Sequence, residues 1–299
     1  MTSPRGRALL GDKVRDTDAF RTALTSWAAT LPRDLPWRRT RDPWAVLVSE
    51  TMLQQTQVTR VLPKYEAFLE EFPDVAACAN APVGAVIGAW AGLGYNGRAV
   101  RLHRAATVVA GALGGSFPDT LGGLMTLPGV GPYTARAVLA FAFERDVAVV
   151  DTNVARVLAR QVGRPLDARR VQAAADALVP PRRGWWWNQA MLDFGALVCL
   201  KRVPHCESCV VSASCAWRGR GADPAIGSAS VSVGQSRFAG SDRQGRGRLV
   251  DALRRATVAE ADLAIVMGWP NDDERARRVA ATVVADGLAE RADGRYFLP

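Results

Sequence analysis

The chain has 299 residues, with 38 Lys and Arg against 29 Asp and Glu, a net charge of +9, five Cys and two His. At 48% hydrophobic and 22% charged residues it reads as a globular chain of one large or two ordinary domains, and no stretch approaches the ~18 consecutive apolar residues of a membrane span. The first stretch, MTSPRGRALLGDKVRD, lacks a signal-peptide apolar region, so the expected location is the cytoplasm, on the nucleoid if the partner is DNA.

The positive charge is almost all arginine, since lysine occurs only as Lys13, Lys64 and Lys201. A Schiff-base nucleophile or a Walker-type phosphate site would have to use one of the three, and none lies in a Gly-rich loop followed by Ser or Thr. With only His103 and His205, His-based triads and His-rich zinc sites fit equally poorly. The +9 balance makes nucleic acid the first partner to test, although genomic base composition accounts for arginine over lysine just as well.

In chain order, Asp42-Pro43 reads as an N-cap with proline at the first helical position, opening a helix through WAVLVSETMLQQTQV at 44–58. Glu50 sits on this segment among Leu47, Val48, Met52 and Leu53, either exposed on a polar face or desolvated. Val83, Val86, Ile87 and Trp90 recur at helical spacing, and GLGYNG at 92–97 follows them. That hexapeptide matches the dinucleotide pattern G-x-G-x-x-G, but it follows a helix where a strand is required, so cofactor binding is set aside.

LPGVGPYTA at 127–135 joins two apolar helix patterns, Leu121/Leu124/Met125 and Ala135/Val138/Leu139/Ala142. Gly129 and Gly131 permit a tight turn and close backbone approach, and Pro132 starts the next helix, so free N–H groups converge there as they do on a phosphate. VVDTNVARVL follows, with Asp151 as the N-cap of a helix whose inward face is Val154, Val157 and Leu158. The helix dipole is expected to keep the Asp151 pKa low, leaving a carboxylate to face developing positive charge. Two carboxylates tuned in opposite directions are what acid-assisted cleavage of a glycosidic bond needs.

Further helices are expected from Val171/Ala174/Ala175/Leu178 and Trp187/Ala190/Met191/Phe194, with Trp187 in the core. Four of the five cysteines, Cys199, Cys206, Cys209 and Cys215, form a C-x6-C-x2-C-x5-C array, while Cys78 reads as a small core residue. The spacing leaves zinc open but favours a [4Fe-4S] cluster, because structural zinc usually draws on two tight C-x2-C pairs. Residues 218–236 are rich in Gly, Ser and Ala and read as a linker. Beyond it, helix patterns and two short strands around Asp293-Gly294 predict a winged-helix-like module over 237–299. The expected fold class is all-α with this small module appended.

LPWR at 35–38, SETMLQQTQV at 49–58, GLGY at 92–95, LPGVGPYTA, VDTNV at 150–154, NQAMLDFGA at 188–196 and the cysteine array together resemble the adenine DNA glycosylase (MutY) family, colinearly over about residues 20–217. The resemblance implies a helix-hairpin-helix glycosylase core over 1–217, with a six-helix lobe at 29–145 and an iron-sulfur lobe from 1–28 and 146–217. It implies a [4Fe-4S] cluster on Cys199, Cys206, Cys209 and Cys215. Glu50 matches the acid that protonates N7 of a flipped-out adenine, and Asp151, with Asn153 beside it, the carboxylate that stabilises the oxocarbenium ion. Tyr133 stands where bifunctional relatives place a Schiff-base lysine, which implies hydrolysis without strand cleavage. Trp37, Arg38, Leu53 and Gln189 match the walls of the adenine pocket, Leu93 and Tyr95 the wedge into the base stack, and Gln55 the filler of the opened space.

The expected partner is double-stranded DNA containing adenine mispaired with 8-oxoguanine or guanine, bound by a monomer. The chain departs from the family after the linker, where typical members carry a much longer Nudix-like domain that reads 8-oxoguanine. Two other readings stay open: a thymine-mismatch glycosylase on the same scaffold, from which Glu50 discriminates because thymine has no N7, and a non-catalytic iron-sulfur DNA-binding protein. The arginines at 237, 243, 246 and 248 are either phosphate contacts or a solvated helix face.

Overall fold

A computed structural model describes residues 14–31, 34–231 and 237–299. The chain forms two compact units, one from residues 1–34 and 135–234, the other from residues 35–134 and 235–299. Lys13 lies outside the described residues. No helix among the described residues is long and apolar enough to cross a membrane.

The first unit contains α1 (Thr17–Ala28), α9 (Thr152–Val162), α10 (Ala168–Asp176) and α11 (Gly184–Leu197), followed by a turn-rich segment through residue 231. Its core gathers apolar stripes expected from the sequence, Val154, Val157 and Leu158, Val171, and Trp187, Met191 and Phe194, and Phe20 and Leu24 of α1 pack among them. Aromatic edges lock α1 to α11, with Phe20 on Trp187 at 6.0 Å and Trp27 on Phe194 at 5.4 Å between ring centroids. The segment 218–231 has no helix or strand, yet its Asp223 pairs with Arg160 and its Ser228 hydroxyl accepts from the Leu166 N–H at 3.1 Å.

The second unit holds α2 (Pro43–Leu53), α3 (Val58–Glu71), α4 (Val75–Asn80), α5 (Val83–Ala89), α6 (Gly97–Ala110) and α7 (Leu121–Leu124); α8 (Pro132–Phe141) crosses the division. Trp44, Phe68, Ile87, Trp90 and Leu102 fill its centre, and the Trp44 indole N–H donates to the Phe72 carbonyl at 3.0 Å. Cys78 is fully buried in α4, where burial pushes its thiol up to about 12, as suits a core residue. The helix expected to run to Val58 stops at Leu53: Gln55 adopts φ +56° and a new helix begins at Val58. The cause lies elsewhere in the unit, in an arginine described below.

Residues 237–299 pack in the same unit as α12 (Asp242–Leu253), β1 (Val258–Ala259), α13 (Leu263–Met267), α14 (Asp273–Ala285), β2 (Glu290–Ala292) and β3 (Arg295–Phe297). The two predicted strands form a hairpin with Asp293 and Gly294 both at positive φ, as a two-residue primed turn requires. The sheet order is β1-β3-β2, all antiparallel. The sequence reading missed β1 and α13, which are two and five residues long and too short to show a period.

Candidate active site and cysteine-lined cavity

The site residues read from the sequence divide between the two units. Glu50, Leu53, Gln55, Trp37, Arg38, Leu93, Tyr95, Gly129, Gly131 and Tyr133 belong to the second; Asp151, Asn153, Gln189 and the four array cysteines belong to the first.

α2 starts at the Asp42 cap, whose carboxylate accepts from the Trp44 and Ala45 N–H groups, with Pro43 at the first helical position. Every residue from Trp44 to Met52 is buried, and Glu50 is 6% exposed, so the buried alternative of the two left open by the sequence applies. The hydroxyls of Ser49 and Thr51 bond back to the Val46 and Leu47 carbonyls. Trp37 is buried in a short 3-10 turn (Pro36–Arg38), edge-on to Tyr65 at 5.4 Å, while Arg38 and Leu53 are half-buried.

Arg98, in α6, ends α2 and shapes two loops at once. Arg98 is 3% exposed, and its guanidinium donates to the carbonyls of Thr51 (2.8 Å), Met52 (3.0 Å) and Gln54 (2.6 Å), which α2 would otherwise leave unpaired at its C-terminus. It also donates to the Leu93 and Gly94 carbonyls at 3.2 and 3.0 Å and to the Thr56 hydroxyl. The Gln55 turn and the 92–95 loop are therefore bound to one cation. Both carry backbone strain, with Gln55 at φ +56° and Tyr95 at φ +47°, and strain of this kind persists only where surroundings enforce it.

Gln55 and Tyr95 are exposed, Tyr95 at 44%, whereas Leu93 is 3% exposed and packed into the unit. Sequence reasoning missed Arg98, and a signal existed: it shares a helical stripe with Leu102, Ala105 and Val109, so a cation stands in an apolar row.

The hairpin between α7 and α8 forms where predicted. Gly129 has φ +78°, and a Cβ there would meet the Arg101 Cβ at 2.8 Å, so only glycine lets the Arg101 stem cross the turn. Gly131 faces open space, and both glycines are exposed. Tyr133 is half-buried in the first turn of α8.

In the first unit Asp151 caps α9, its carboxylate accepting from the N–H groups of Asn153 (2.8 Å) and Val154 (2.7 Å) and from the Asn153 amide (2.8 Å). The expectation of a low pKa fails: burial raises it above the ordinary aspartate value, outweighing the lowering by these hydrogen bonds and by Arg156. Asn153 in turn accepts from Arg156 at 2.8 Å, and Arg156 donates to the carbonyls of Gly195 (2.7 Å) and Cys199 (2.8 Å). A Cβ on Gly195 would meet the Asn153 Cβ at 2.7 Å, which explains the glycine in NQAMLDFGA. Gln189 is buried in α11.

The four array cysteines line one cavity, partly open to solvent, together with Arg160, Pro204, His205 and Trp217. Arg160 donates to the Cys199 sulfur at 3.3 Å and pairs with Asp223 at 2.7 Å, and its guanidinium lies 4.5 Å from the Trp217 ring centroid. Among the described residues, no three His, Cys, Asp or Glu side chains converge as ligands of one metal ion. Four sulfur donors on one cavity are a set able to hold a thiolate-bound metal group.

Residues 48–181 match the model of the HhH-GPD superfamily base excision DNA repair proteins. The chain is 42% identical over 283 residues to an adenine DNA glycosylase of Mycolicibacterium smegmatis, covering 92% of this chain and 94% of that one. It is 43% identical over 290 residues to an adenine DNA glycosylase of Mycobacterium tuberculosis, covering 93% of each. Among solved structures, a thermostable thymine-DNA glycosylase superposes with a TM-score of 0.63 at 30% identity, over 68% of this chain and 96% of that one. The chain belongs to the adenine DNA glycosylase family of the helix-hairpin-helix base excision repair superfamily, and is a DNA N-glycosylase, a hydrolase.

Proposed function

We propose that this chain hydrolyses the N-glycosidic bond of adenine mispaired with 8-oxoguanine or guanine in duplex DNA, without cutting the strand. The observation that carries the reading is Glu50, a carboxyl group 6% exposed on a helix whose residues from Trp44 to Met52 are all buried, a position suited to a general acid shielded from bulk water. In its protonated form Glu50 gives its proton to N7 of a flipped-out adenine. The C1′–N9 bond then breaks with its electron pair leaving on the base, and water adds to C1′ with loss of a proton. Asp151, oriented by Asn153 and the α9 N–H groups, faces the cationic sugar as its carboxylate. Tyr133 offers no amine, so no Schiff base forms at the hairpin.

Extruding the base costs a few kcal/mol of unstacking, which Tyr95 and Gln55 offset from their strained, exposed loops. Leu93 joins the wedge only by leaving its packing. Trp37, Arg38, Leu53 and Gln189 are assigned to adenine binding, and the Gly129 and Gly131 N–H groups to a phosphate. Cys199, Cys206, Cys209 and Cys215 hold a [4Fe-4S] cluster, which when bound cross-links the 199–215 loop; the shared cavity and its sulfur donors support this. The order of elements in 237–299 suits a winged helix, and the monomer acts on chromosomal DNA.

Single-turnover base release from A:8-oxoguanine, A:G and T:G duplexes tests the reading. Adenine release that collapses in Glu50→Gln is expected. Faster release of thymine, the base of the similar solved structure, or full activity in Glu50→Gln would overturn it. Borohydride trapping is expected to yield no covalent DNA adduct, and metal analysis to find iron.

A further inference from the structure

Residues 237–299 sit on α5 and α6, the two helices that flank the 92–95 loop, through three contacts within the second unit. The Gly84 N–H, at the start of α5, donates to the Pro299 carbonyl at 2.8 Å, where a Cβ on Gly84 would stand 2.4 Å from that oxygen. Gly287 lies against Val100 and Arg104 of α6, so closely that a Cβ would be 3.0 Å from the Arg104 guanidinium. Between them stands Arg254, directly after α12.

Arg254 spans the loop from one end to the other. Its Nε and Nη2 donate to the Ile87 carbonyl at 3.1 and 3.0 Å, among the last carbonyls of α5, and Nη2 also donates to the Asn96 side-chain oxygen at 3.0 Å. Asp251, one helical turn earlier, pairs with the same guanidinium and fixes its rotamer. Asn96 follows Tyr95 directly. It occupies the N-cap position of α6, yet its side chain makes no capping bond and turns to Arg254 instead. An asparagine normally satisfies the helix's own N–H groups from that position, so the turn toward Arg254 gives up a favourable local bond for one across the interface.

The loop needs such support. Gly92, Gly94 and Tyr95 all have positive φ, and the tyrosine pays a steric penalty for it. Arg60 and Arg98 hold the Gly92, Leu93 and Gly94 carbonyls from within. At the end that leaves Tyr95, its carbonyl accepts from the Arg98 N–H at 2.9 Å, and Arg254 holds the next side chain, Asn96.

We propose that the 237–299 module braces the DNA-facing loop, with Arg254 as a positioning residue that holds Ile87 and Asn96 at a fixed separation and so keeps Tyr95 presented to the duplex. The proposal rests on the reading that the 92–95 loop enters the base stack. It assigns the module a mechanical part in base extrusion.

The test uses the full chain with Arg254→Ala, Arg254→Lys, Asn96→Ala and Tyr95→Ala. Two readouts are needed: single-turnover adenine release at saturating enzyme, and fluorescence of 2-aminopurine placed beside the target adenine, which reports unstacking. Arg254→Ala is expected to lose on the order of tenfold in both, the scale of one charge-assisted hydrogen bond, with affinity for undamaged duplex unchanged. Asn96→Ala should match it, the double variant should lose no more than either single one, and Lys, bonding one partner at a time, should fall between. Should Arg254→Ala fail to fold, Asn96→Ala carries the same comparison. Wild-type unstacking and release in Arg254→Ala or Asn96→Ala beside an impaired Tyr95→Ala, or additive losses in the double variant, would overturn the brace. Wild-type behaviour of Tyr95→Ala would overturn the loop reading, and the brace with it.

Discussion

Two buried arginines organise the two units, and they are held in opposite ways. Arg160, in the first unit, meets the Asp223 carboxylate; burial opposes its charge, but the bonds to Asp223 and Cys199 win and hold it above the ordinary arginine value. Arg98, in the second unit, donates to backbone carbonyls and one hydroxyl, and burial pulls it down to about 10, still protonated at neutral pH. The paired cation staples a loop around the cysteine cavity and leaves little field behind. The unpaired one fixes the two loops proposed to touch DNA while its charge still reaches the surface potential.

The strongest way to break that contrast is Arg98→Met. It strands the carbonyls of Thr51, Met52, Gln54, Leu93 and Gly94 together, so a loss of at least about 3 kcal/mol in urea unfolding is expected. Arg98→Lys should recover little, because a point ammonium with three donors cannot span two loops. A variant that unfolds like wild type would show that the loops hold themselves.

Next is Asp151→Asn, since burial opposes the charge of Asp151 as it does that of Arg98. Removing the carboxylate from the proposed cationic sugar is expected to cost on the order of 10²–10³-fold in single-turnover rate. Stability should move the other way. A folded-state pKa raised above the unfolded value means that the Asp151 contribution is full below the ordinary aspartate value and is lost as pH rises through the folded one. At neutral pH the ionised form is a burden, and asparagine caps helices as well as aspartate does. Thermal unfolding should therefore find the variant no less stable than wild type at pH 7 and less stable in relative terms toward acid. A destabilised variant at pH 7 would mean that the three hydrogen bonds outweigh burial.

Much of this was legible beforehand, for a reason that can be stated residue by residue. The helix caps at Asp42 and Asp151, the hairpin at Gly129 and the Asp293-Gly294 turn are local chemistry, written within a few adjacent residues. The cysteines share one cavity because they lie close together in the chain, although Arg160 and Phe194 from α9 and α11 complete its lining. What could not be read was non-local. α2 stops at Leu53 because an arginine 45 positions later takes its carbonyls, and the Asp151 pKa rises because of what surrounds it, against a local dipole argument that pointed down. Leu93 and Tyr95 are two residues apart in one motif, yet burial hides the first and exposes the second.

Arg160→Met is expected to cost about 3 kcal/mol, the lower end for breaking a buried ion pair, since Asp223 retains some solvent contact. The distinguishing readout is iron content: it should fall in Arg160→Met, whose guanidinium touches the Cys199 sulfur, and stay at wild-type level in folded Arg98→Met. Equal iron loss in both would erase the division of labour between the two arginines.

The smallest effect is expected from Arg246→Ala, and it tests whether arginine richness alone means DNA contact. Arg246 lies in the stretch read either as phosphate contacts or as a solvated face. It bonds the Thr282 hydroxyl and pairs with Asp286, which is more than half exposed. A pair of that kind is worth at most about 1 kcal/mol and is screened by salt. Its charge is already answered by a neighbour, so removing it should leave the salt dependence of duplex binding unchanged, whereas a phosphate contact would lower the slope of log K against log salt by nearly one. A lowered slope would place the α12 face on DNA and give the module a binding role beside the bracing one.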